Sequence, residues 1–218
     1  MYLEVDIYKK LNEFDLDVHF KINEICLGVM GPSGSGKSMT LKCIAGIETP
    51  DSGRIVLDGR VLYDSEKHIN LSPQERNIGY MFQNYAFPNM TVYDNIASPL
   101  VARRLDKNII HDSVIQLMKD LHIEGLEKRY PRQLSGGQKQ RVALARLLIY
   151  NAEVILLDES FSALDEDLKG ELLKEMKIRL DAYHRPVVFV SHNKDEIKAL
   201  SHKMYIIKKG EMIHEEIS

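Results

Sequence analysis

The chain has 218 residues, of which 44% are hydrophobic and 28% are charged, enough for one α/β domain with a sizeable core. Its formal net charge of -3 gives no support for bulk binding of nucleic acid. Its two cysteines, Cys26 and Cys43, indicate neither a disulfide framework nor a metal pair, so a reducing cytosol is the simplest setting. No apolar run approaches the roughly 20 residues that cross a bilayer, and residues 1–4 begin a strand rather than a signal peptide.

Alternating polar and apolar residues predict antiparallel strands over residues 2–8 and 15–22. Residues 54–63 predict a hairpin, because Asp58-Gly59 is a favoured two-residue turn. These strands predict a small β layer beside a main sheet. A closing hairpin is predicted over residues 203–217, with its turn at Gly210.

An apolar strand over residues 25–30 leads into a loop that fits the phosphate-binding pattern GxxxxGK followed by Ser or Thr. The residues of this loop are Gly31, Pro32, Ser33, Gly34, Ser35, Gly36, Lys37 and Ser38. Its glycines let backbone N–H groups point at a β-phosphate, and the helix that begins near Lys37 and continues through residues 39–45 adds its positive end. Lys37 would contact the β- and γ-phosphates, Ser38 would ligate Mg²⁺, and Met39 completes the predicted nucleotide-binding set. The alternative is a Gly/Ser-rich turn that matches by chance.

The pattern becomes helical from about residue 88 to residue 150. One face of a helix there is apolar and reads as plain core; its residues are Ile110, Val114, Leu117, Met118 and Leu121. Near the end of this block a loop precedes a helix-forming run over residues 139–148, and it consists of Leu134, Ser135, Gly136, Gly137 and Gln138. Ser135 is a good N-cap, and the two glycines open the backbone to an anion. Considered alone, this sequence could belong to any loop that enters a helix.

The apolar run 154–157 predicts a fully buried parallel strand that ends in Asp158 and Glu159. Both acids therefore emerge at the carboxyl edge of the sheet, where α/β proteins bind their ligands. Asp158 would hold the hydration shell of Mg²⁺, and Glu159 would polarise the attacking water. A purely structural interpretation makes them caps of the next helix.

Taken together, the phosphate loop, the LSGGQ sequence and the acidic strand make the chain resemble the ATP-binding subunit of an ABC transporter over nearly its whole length. The resemblance implies an α/β fold with a P-loop NTPase core, a small antiparallel β layer and an inserted α-helical subdomain. One nucleotide-binding domain would span residues 1–218, with the core and β layer at 1–87 and 151–218 and the helical subdomain at 88–150. The implied cofactors are ATP and Mg²⁺.

The same resemblance assigns roles to single residues. Gln83 would contact Mg²⁺ and join the two subdomains, and His192 would contact the γ-phosphate, so that the catalytic set is Glu159, His192 and Gln83. The metal set is Ser38, Gln83 and Asp158. The signature residues Ser135, Gly136, Gly137 and Gln138 would contact the ATP of a second copy, and the loop 162–165 would cross the dimer interface.

Two residues depart from the family pattern, and the residue that stacks on adenine is open between two aromatic side chains. Ser160 and Asn193 replace a proline and an aspartate that are usual in the family, and we expect altered loop stiffness rather than lost chemistry. The aromatic side chain that stacks on adenine should come from the turn between the first strands, which favours Phe14 over Tyr8, although either fits a core aromatic.

The implied partners are a second copy of the chain, membrane-spanning permease subunits and, indirectly, an external substrate-binding protein, but no nucleic acid. The protein would lie at the cytoplasmic face of the membrane as a peripheral subunit. The permease would dock beside Gln83, on the apolar side chains of Tyr85, Phe87, Met90 and Tyr93. The alternative is that these side chains pack the helical subdomain.

The substrate is less determined, because this subunit does not touch it. Residues 59–65 and 69–80, with Ser191-His192-Asn193, look like the molybdate-importer branch, while sulfate, tungstate, other oxyanions and polyamines stay open. A soluble ABC-type ATPase acting on DNA or ribosomes and a kinase-type enzyme are the other function classes. Soluble relatives usually carry two cassettes or a coiled-coil insertion, and kinases lack the signature loop. The chain ends at Ser218, so regulation by an appended C-terminal domain is not expected.

Overall fold

The N-terminal strands form because polar and apolar side chains alternate along them. In β1 (Tyr2–Lys10) and β2 (Asp15–Asn23) alternate side chains are buried, and the two strands pair antiparallel along their whole length. The computed structural model describes residues 1–23, 26–161 and 166–215. Its further strands are β3 (Cys26–Met30), β4 (Ser52–Leu57), β5 (Arg60–Asp64), β6 (Ile69–Asn70), β7 (Ile78–Met81), β8 (Val154–Asp158), β9 (Val187–Ser191), β10 (Lys203–Lys208) and β11 (Glu211–Glu215).

Seven α-helices lie within the described part of the chain. They are α1 (Lys37–Ala45), α2 (Pro73–Arg76), α3 (Val92–Ala102), α4 (Lys107–Asp120), α5 (Gly136–Ile149), α6 (Glu166–Asp181) and α7 (Lys194–Leu200). A short 3-10 helix, Pro131–Gln133, precedes the loop that leads into α5. None of the described helices combines the length and the apolar character that a membrane span requires.

The described strands form one sheet in the order β6-β5-β4-β1-β2-β11-β10-β3-β9-β8-β7. Neighbouring strands from β10 to β7 pair in parallel, so their carboxyl ends lie at one edge. β8 and β9 are buried along their whole length, and for β8 the apolar run 154–157 predicted this burial. The carboxyl edge is where the loops after β3, β7, β8 and β9 meet.

The β layer is not separate from the main sheet. β1, β2, β4 and β5 pair antiparallel as predicted, but β2 also pairs with β11 at a single position, Glu211 against Asp17. One register position is too short to leave a pattern in the sequence, so the prediction of a layer beside the sheet missed this connection. The turn of the β4–β5 hairpin has the expected left-handed residues, with φ of 49° at Asp58 and 84° at Gly59.

Helices and the β layer cover both faces of the parallel strands. Along β8, Val154 and Leu156 pack with α1 and the β layer, whereas Ile155 and Leu157 pack with the helices α3 to α7. In α4, the predicted apolar face is buried at Ile110, Val114 and Met118, while Leu117 is only half-buried. The helices α3 to α5 lie within the range 88–150 that the sequence predicted as helical.

Several element boundaries differ from the predictions by one to three residues. β1 continues to Lys10, two residues beyond the predicted end, and α5 begins at Gly136, three residues before the predicted helix-forming run 139–148. Helix and strand ends fray and depend on caps, which a periodic pattern does not resolve.

Both cysteines are free and buried, and burial raises the pKa of Cys26 to about 12 and that of Cys43 to about 11.

A buried arginine at the end of α2 ties this short helix to the end of α1. Arg76 is 0% exposed, and its guanidinium donates to the carbonyls of Cys43 and Ile44 at 2.8 Å each. It also donates to Leu71 O and Asn70 Oδ1 at 2.9 Å. The last carbonyls of a helix lack partners within the helix, and a cation at this end is favourable. Arg76 therefore holds the C-terminus of the helix whose N-terminus carries Lys37.

We predict that Arg76→Met lowers the free energy of unfolding by about 3 kcal/mol, because buried carbonyls lose a charged donor. Urea unfolding of the purified variants measures this loss. Arg129→Met, at an exposed arginine, is the matched control and should change stability by less than about 0.5 kcal/mol. Equal losses in the two variants would contradict the capping role of Arg76.

Candidate functional site

The phosphate loop is closed on itself in this structure. Lys37 is 4% exposed, and its ammonium donates to the carbonyls of Gly31 at 2.8 Å and Pro32 at 2.9 Å. Burial lowers the pKa of Lys37, and the carboxylates of Glu159 and Asp158 oppose that shift. Gly36 caps α1 with φ of 106°, and a Cβ there would meet Leu16 Cδ1 at 2.6 Å. The loop is thus preformed, with its ammonium held next to the site of the phosphates.

Asp158 is held through both of its oxygens. Ser38 Oγ donates to Oδ1 at 2.9 Å, and the hydroxyl of Tyr80 donates to Oδ2 at 2.8 Å. Burial and the nearby Asp158 carboxylate raise the pKa of Tyr80, so the phenol keeps its proton at neutral pH. The structure thus brings together two of the three predicted metal ligands. The third, Gln83, donates its amide to Glu159 instead.

The carboxylate of Glu159 lies next to both of the other predicted catalytic residues, Gln83 and His192. This carboxylate accepts from Gln83 Nε2 at 3.2 Å and lies 3.6 Å from His192 Nδ1 and 4.0 Å from Lys37 Nζ. The backbone at Glu159 has φ of 45°, unusual for a side chain of this size, and its N–H donates to Val190 O at 3.0 Å. Residues from the ends of four parallel strands therefore meet at one carboxylate.

A buried polar network supports the turn that carries His192. The hydroxyl of Ser191 donates to Glu196 Oε2 at 2.6 Å and accepts the N–H of Asn193 at 3.0 Å. The other oxygen of Glu196 lies 3.1 Å from the ammonium of Lys169 on α6. This network was not predicted from the sequence, although Asn193 with Glu196 three residues later is a recognisable helix-start signal. Asn193 Oδ1 accepts from two backbone N–H groups of α7, so the amide caps the helix.

A cavity of about 540 Å³ lies over the phosphate loop. Its wall includes residues 33–39 of the loop and helix, together with Phe14, Gln83 and Glu159. A cavity of this size suits a nucleotide. Tyr8 is not among the residues that line it, and its hydroxyl donates to Asp15 at 2.7 Å. The stacking role of Phe14 stays a prediction, supported by its position on the wall.

The signature loop lies outside this cavity. Ser135 caps α5 by accepting from the N–H of Gln138 at 3.3 Å, and the Gln138 side chain accepts from the N–H of Ser135 at 3.1 Å. At Gly137 a Cβ would meet no atom within 4 Å, so the backbone is open on that side. None of the four signature residues lines the cavity. The predicted interface loop 162–165 lies outside the described residues.

The segment after Gln83 corrects one prediction. Tyr85 is buried; its ring centroid is 5.9 Å from that of Phe87, and its hydroxyl donates to Ser160 O at 3.3 Å. Tyr85 is therefore a packing residue and not a docking surface, because its ring already fills the core beside β8. Phe87 is half-buried, and the guanidinium carbon of Arg146 lies 5.1 Å from the centroid of the Phe87 ring.

The hydroxyl of Ser160 is buried without a hydrogen-bond partner among the described residues. A proline at this position would not bury such a polar group.

Comparison with known proteins gives consistent results. The sequence profile described as ABC transporter matches residues 15–162. The molybdate/tungstate import ATP-binding protein WtpC of Methanocaldococcus jannaschii is 44% identical over 198 residues, which are 90% of this chain and 64% of that protein. The sulfate/thiosulfate import ATP-binding protein CysA of Thermosynechococcus vestitus is 42% identical over 207 residues, 94% of this chain and 59% of that protein. The chain spans less than two thirds of the length of either relative.

Two solved structures share the fold. A dimeric ATP-binding cassette in a post-hydrolysis state with ADP and phosphate has a TM-score of 0.83 and 26% identity, covering 100% of this chain and 99% of that one. The cbiO1 protein of Clostridium perfringens, part of the ABC transporter complex cbiONQ, has a TM-score of 0.83 and 24% identity. It covers 98% of this chain and 87% of that one. At that identity the second likeness concerns the fold alone.

We predict that Ser191→Ala destabilises the protein by about 2 kcal/mol, since a buried hydroxyl bonded to a carboxylate is lost. Nucleotide hydrolysis should also fall several-fold, because the turn that carries His192 loses its tie to Glu196. Urea unfolding and a phosphate-release assay measure the two effects. Ser98→Ala, which removes a hydroxyl bonded to a carbonyl within α3, is the control. A Ser191→Ala protein indistinguishable from this control would exclude the positioning role.

Proposed function

The chain belongs to the ABC transporter family, and from that premise we propose that it binds and hydrolyses ATP as the ATP-binding subunit of an import system. The observation that carries the proposal is the meeting of Lys37, Gln83 and His192 at the carboxylate of Glu159. A carboxylate beside an amide, an imidazole and a phosphate-loop lysine can act as general base for a water next to a bound phosphate. The cavity above the loop has room for the nucleotide.

In this proposal the chain acts mainly by positioning and by charge. The backbone N–H groups of the loop and the start of α1 hold the β-phosphate, and the ammonium of Lys37 turns from the carbonyls of Gly31 and Pro32 toward the β- and γ-phosphates. Glu159 accepts a proton from the water that attacks the γ-phosphorus. His192, whose Nδ1 faces Glu159, has Nε2 available for a γ-phosphate oxygen.

The residues present fit Mg²⁺. Ser38 Oγ and Asp158 Oδ1 are hard oxygen donors only 2.9 Å apart, and Mg²⁺ is commonly held by one or two such groups together with substrate phosphates. The described residues contain no group of three or more His, Cys, Asp and Glu side chains that could hold a metal ion. When bound, Mg²⁺ would neutralise charge on the β- and γ-phosphate oxygens. Gln83 remains the proposed third ligand.

A complete site requires a second copy in this proposal. The signature residues Ser135, Gly136, Gly137 and Gln138 are displayed outside the cavity of their own chain. The N-terminus of α5 and its open glycine backbone suit the γ-phosphate of an ATP molecule held by the other copy. The related cassette that was solved as a dimer supports this arrangement.

The mechanical partner would be a membrane-spanning permease that docks beside Gln83. Because Tyr85 is buried, the docking surface reduces to Phe87, Met90 and Tyr93, which are half-buried. The helical subdomain adds exposed apolar side chains at Val101, Leu105 and Ile109. The protein would then lie at the cytoplasmic face of the membrane, and an external substrate-binding protein would act on it only through the permease.

The transported substrate is proposed to be an oxyanion, with molybdate first. Relatives that import molybdate or tungstate and sulfate or thiosulfate support the oxyanion class at nearly equal identity, 44% and 42%. The alternatives are an importer for sulfate or a polyamine and an ATPase not coupled to transport. Uptake of molybdate, tungstate, sulfate and a polyamine by the complex reconstituted with its permease and binding protein decides between them.

We predict that Glu159→Gln binds ATP, hydrolyses it at least about 100-fold more slowly and accumulates a dimer, because the amide keeps the shape of the side chain but not its basicity. Lys37→Ala should lose nucleotide binding. Size-exclusion chromatography with Mg-ATP and a phosphate-release assay test both variants. Unchanged turnover in Glu159→Gln would remove this residue from the catalytic role.

A second prediction tests the shared site. Ser135→Arg and Lys37→Ala should each be inactive alone, and mixing them should restore partial hydrolysis, since a mixed dimer has one intact pair of loops. ATPase activity across a series of mixing ratios measures this, with each variant mixed with itself as control. Full activity of either variant alone at every protein concentration would contradict a site made by two chains.

A further inference from the structure

The carboxylate of Asp158 is oriented by two hydroxyl groups, one bonded to each of its oxygens. Ser38, at the start of α1, donates to Oδ1 at 2.9 Å, and Tyr80, on β7, donates to Oδ2 at 2.8 Å. A carboxylate held through one oxygen can still rotate about its last side-chain torsion, which is soft. With both oxygens held, the plane of the group is fixed. Asp158 Oδ1 then stays beside the Ser38 hydroxyl.

The strand register explains why Tyr80 reaches this carboxylate. β7 pairs in parallel with β8, and Tyr80 lies opposite Leu156. Side chains two residues apart share a face of the sheet, so Asp158 lies on the face of Leu156 and Tyr80, one step nearer the carboxyl edge. The ring of Tyr80 also lies 4.3 Å from that of Phe82, centroid to centroid, which restricts its position. The phenol therefore points along the strands to the acid.

Within the described part of the chain, the hydroxyl of Tyr80 serves no contact of the fold other than the one to Asp158. Among the described residues, its hydrogen bond to Asp158 is the one that it makes, and a phenylalanine ring would fill the same space in the core. In the alternative interpretation, Tyr80 is only a core aromatic whose hydroxyl finds an acceptor. Removing the hydroxyl would then have no effect on metal binding. The two interpretations differ in a measurable quantity.

We propose that Tyr80 is a positioning residue for the divalent cation, acting through Asp158 by holding Oδ2 so that Oδ1 and Ser38 Oγ face the metal together. The inference rests on the proposed Mg-ATPase function. Hydrogen-bond partners of metal-ligating carboxylates typically change metal affinity by about 10- to 100-fold when they are removed. Tyr80 itself does not touch the nucleotide or the metal.

The test measures metal binding without turnover. In the full-length Glu159→Gln protein, which should hold ATP unhydrolysed, Mn²⁺ is titrated in the presence of ATP and its bound fraction is followed by electron paramagnetic resonance. Adding Tyr80→Phe should weaken Mn²⁺ binding by about 10-fold or more. Tyr63→Phe is the matched control, because its hydroxyl is bonded at 2.8 Å to the backbone carbonyl of Pro50, outside the cavity. It should leave Mn²⁺ affinity unchanged.

Thermal unfolding of the same variants separates positioning from stability. Tyr80→Phe and Tyr63→Phe should lose similar amounts of stability while only the former loses affinity, and Tyr80→Met, a second side chain without a hydroxyl, should reproduce the loss. Mn²⁺ affinity within twofold of the parent in both Tyr80 variants would overturn the inference and leave the proposed function standing. A parent protein without ATP-dependent Mn²⁺ binding would overturn both.

Discussion

Parallel pairing of β3, β9, β8 and β7 is the constraint on which the site depends. Because the strands run in one direction, the phosphate loop, Gln83, Glu159 and His192 all leave the sheet at the same edge. Burial of β8 and β9 on both faces makes the register costly to change, since a slip of one residue exchanges the two faces. The register thereby determines which side chains stand at the carboxyl end of β8, namely Asp158 and Glu159.

Polar groups behind the site hold its parts in place. Arg76 closes the far end of α1, the Ser191–Glu196–Lys169 network supports the turn of His192, and Tyr80 holds Asp158. The bonds of Arg76 to α1, of Lys169 to Glu196 and of Tyr80 to Asp158 join elements that are distant in the chain. All of these groups are buried or half-buried, where an unmade hydrogen bond is costly. The site can therefore hold a lysine and a histidine within 4.0 Å of the Glu159 carboxylate without losing its geometry.

The geometry also explains why the proposed function needs two copies of the chain. The cavity over the phosphate loop is open, and nothing from the signature loop reaches it. Closure by a second copy would exclude bulk water while Glu159 accepts the proton of the attacking water. The dimer would reopen once the contacts to the γ-phosphate are lost. Such a cycle can do work only on a partner bound where core and helical subdomain join, which is the segment after Gln83.

The sequence by itself determined the features that depend on local chemistry. The phosphate loop, the acids after an apolar run, the N-cap at Ser135 and the Asp58-Gly59 turn are readable because each needs particular residues at neighbouring positions. Only the tertiary structure decided that Tyr85 is buried, that Phe14 rather than Tyr8 lines the cavity, that β11 joins β2, and that Tyr80 holds Asp158. These contacts join residues far apart in the chain, and an aromatic residue on a strand has the same pattern whether its hydroxyl meets water or a carboxylate.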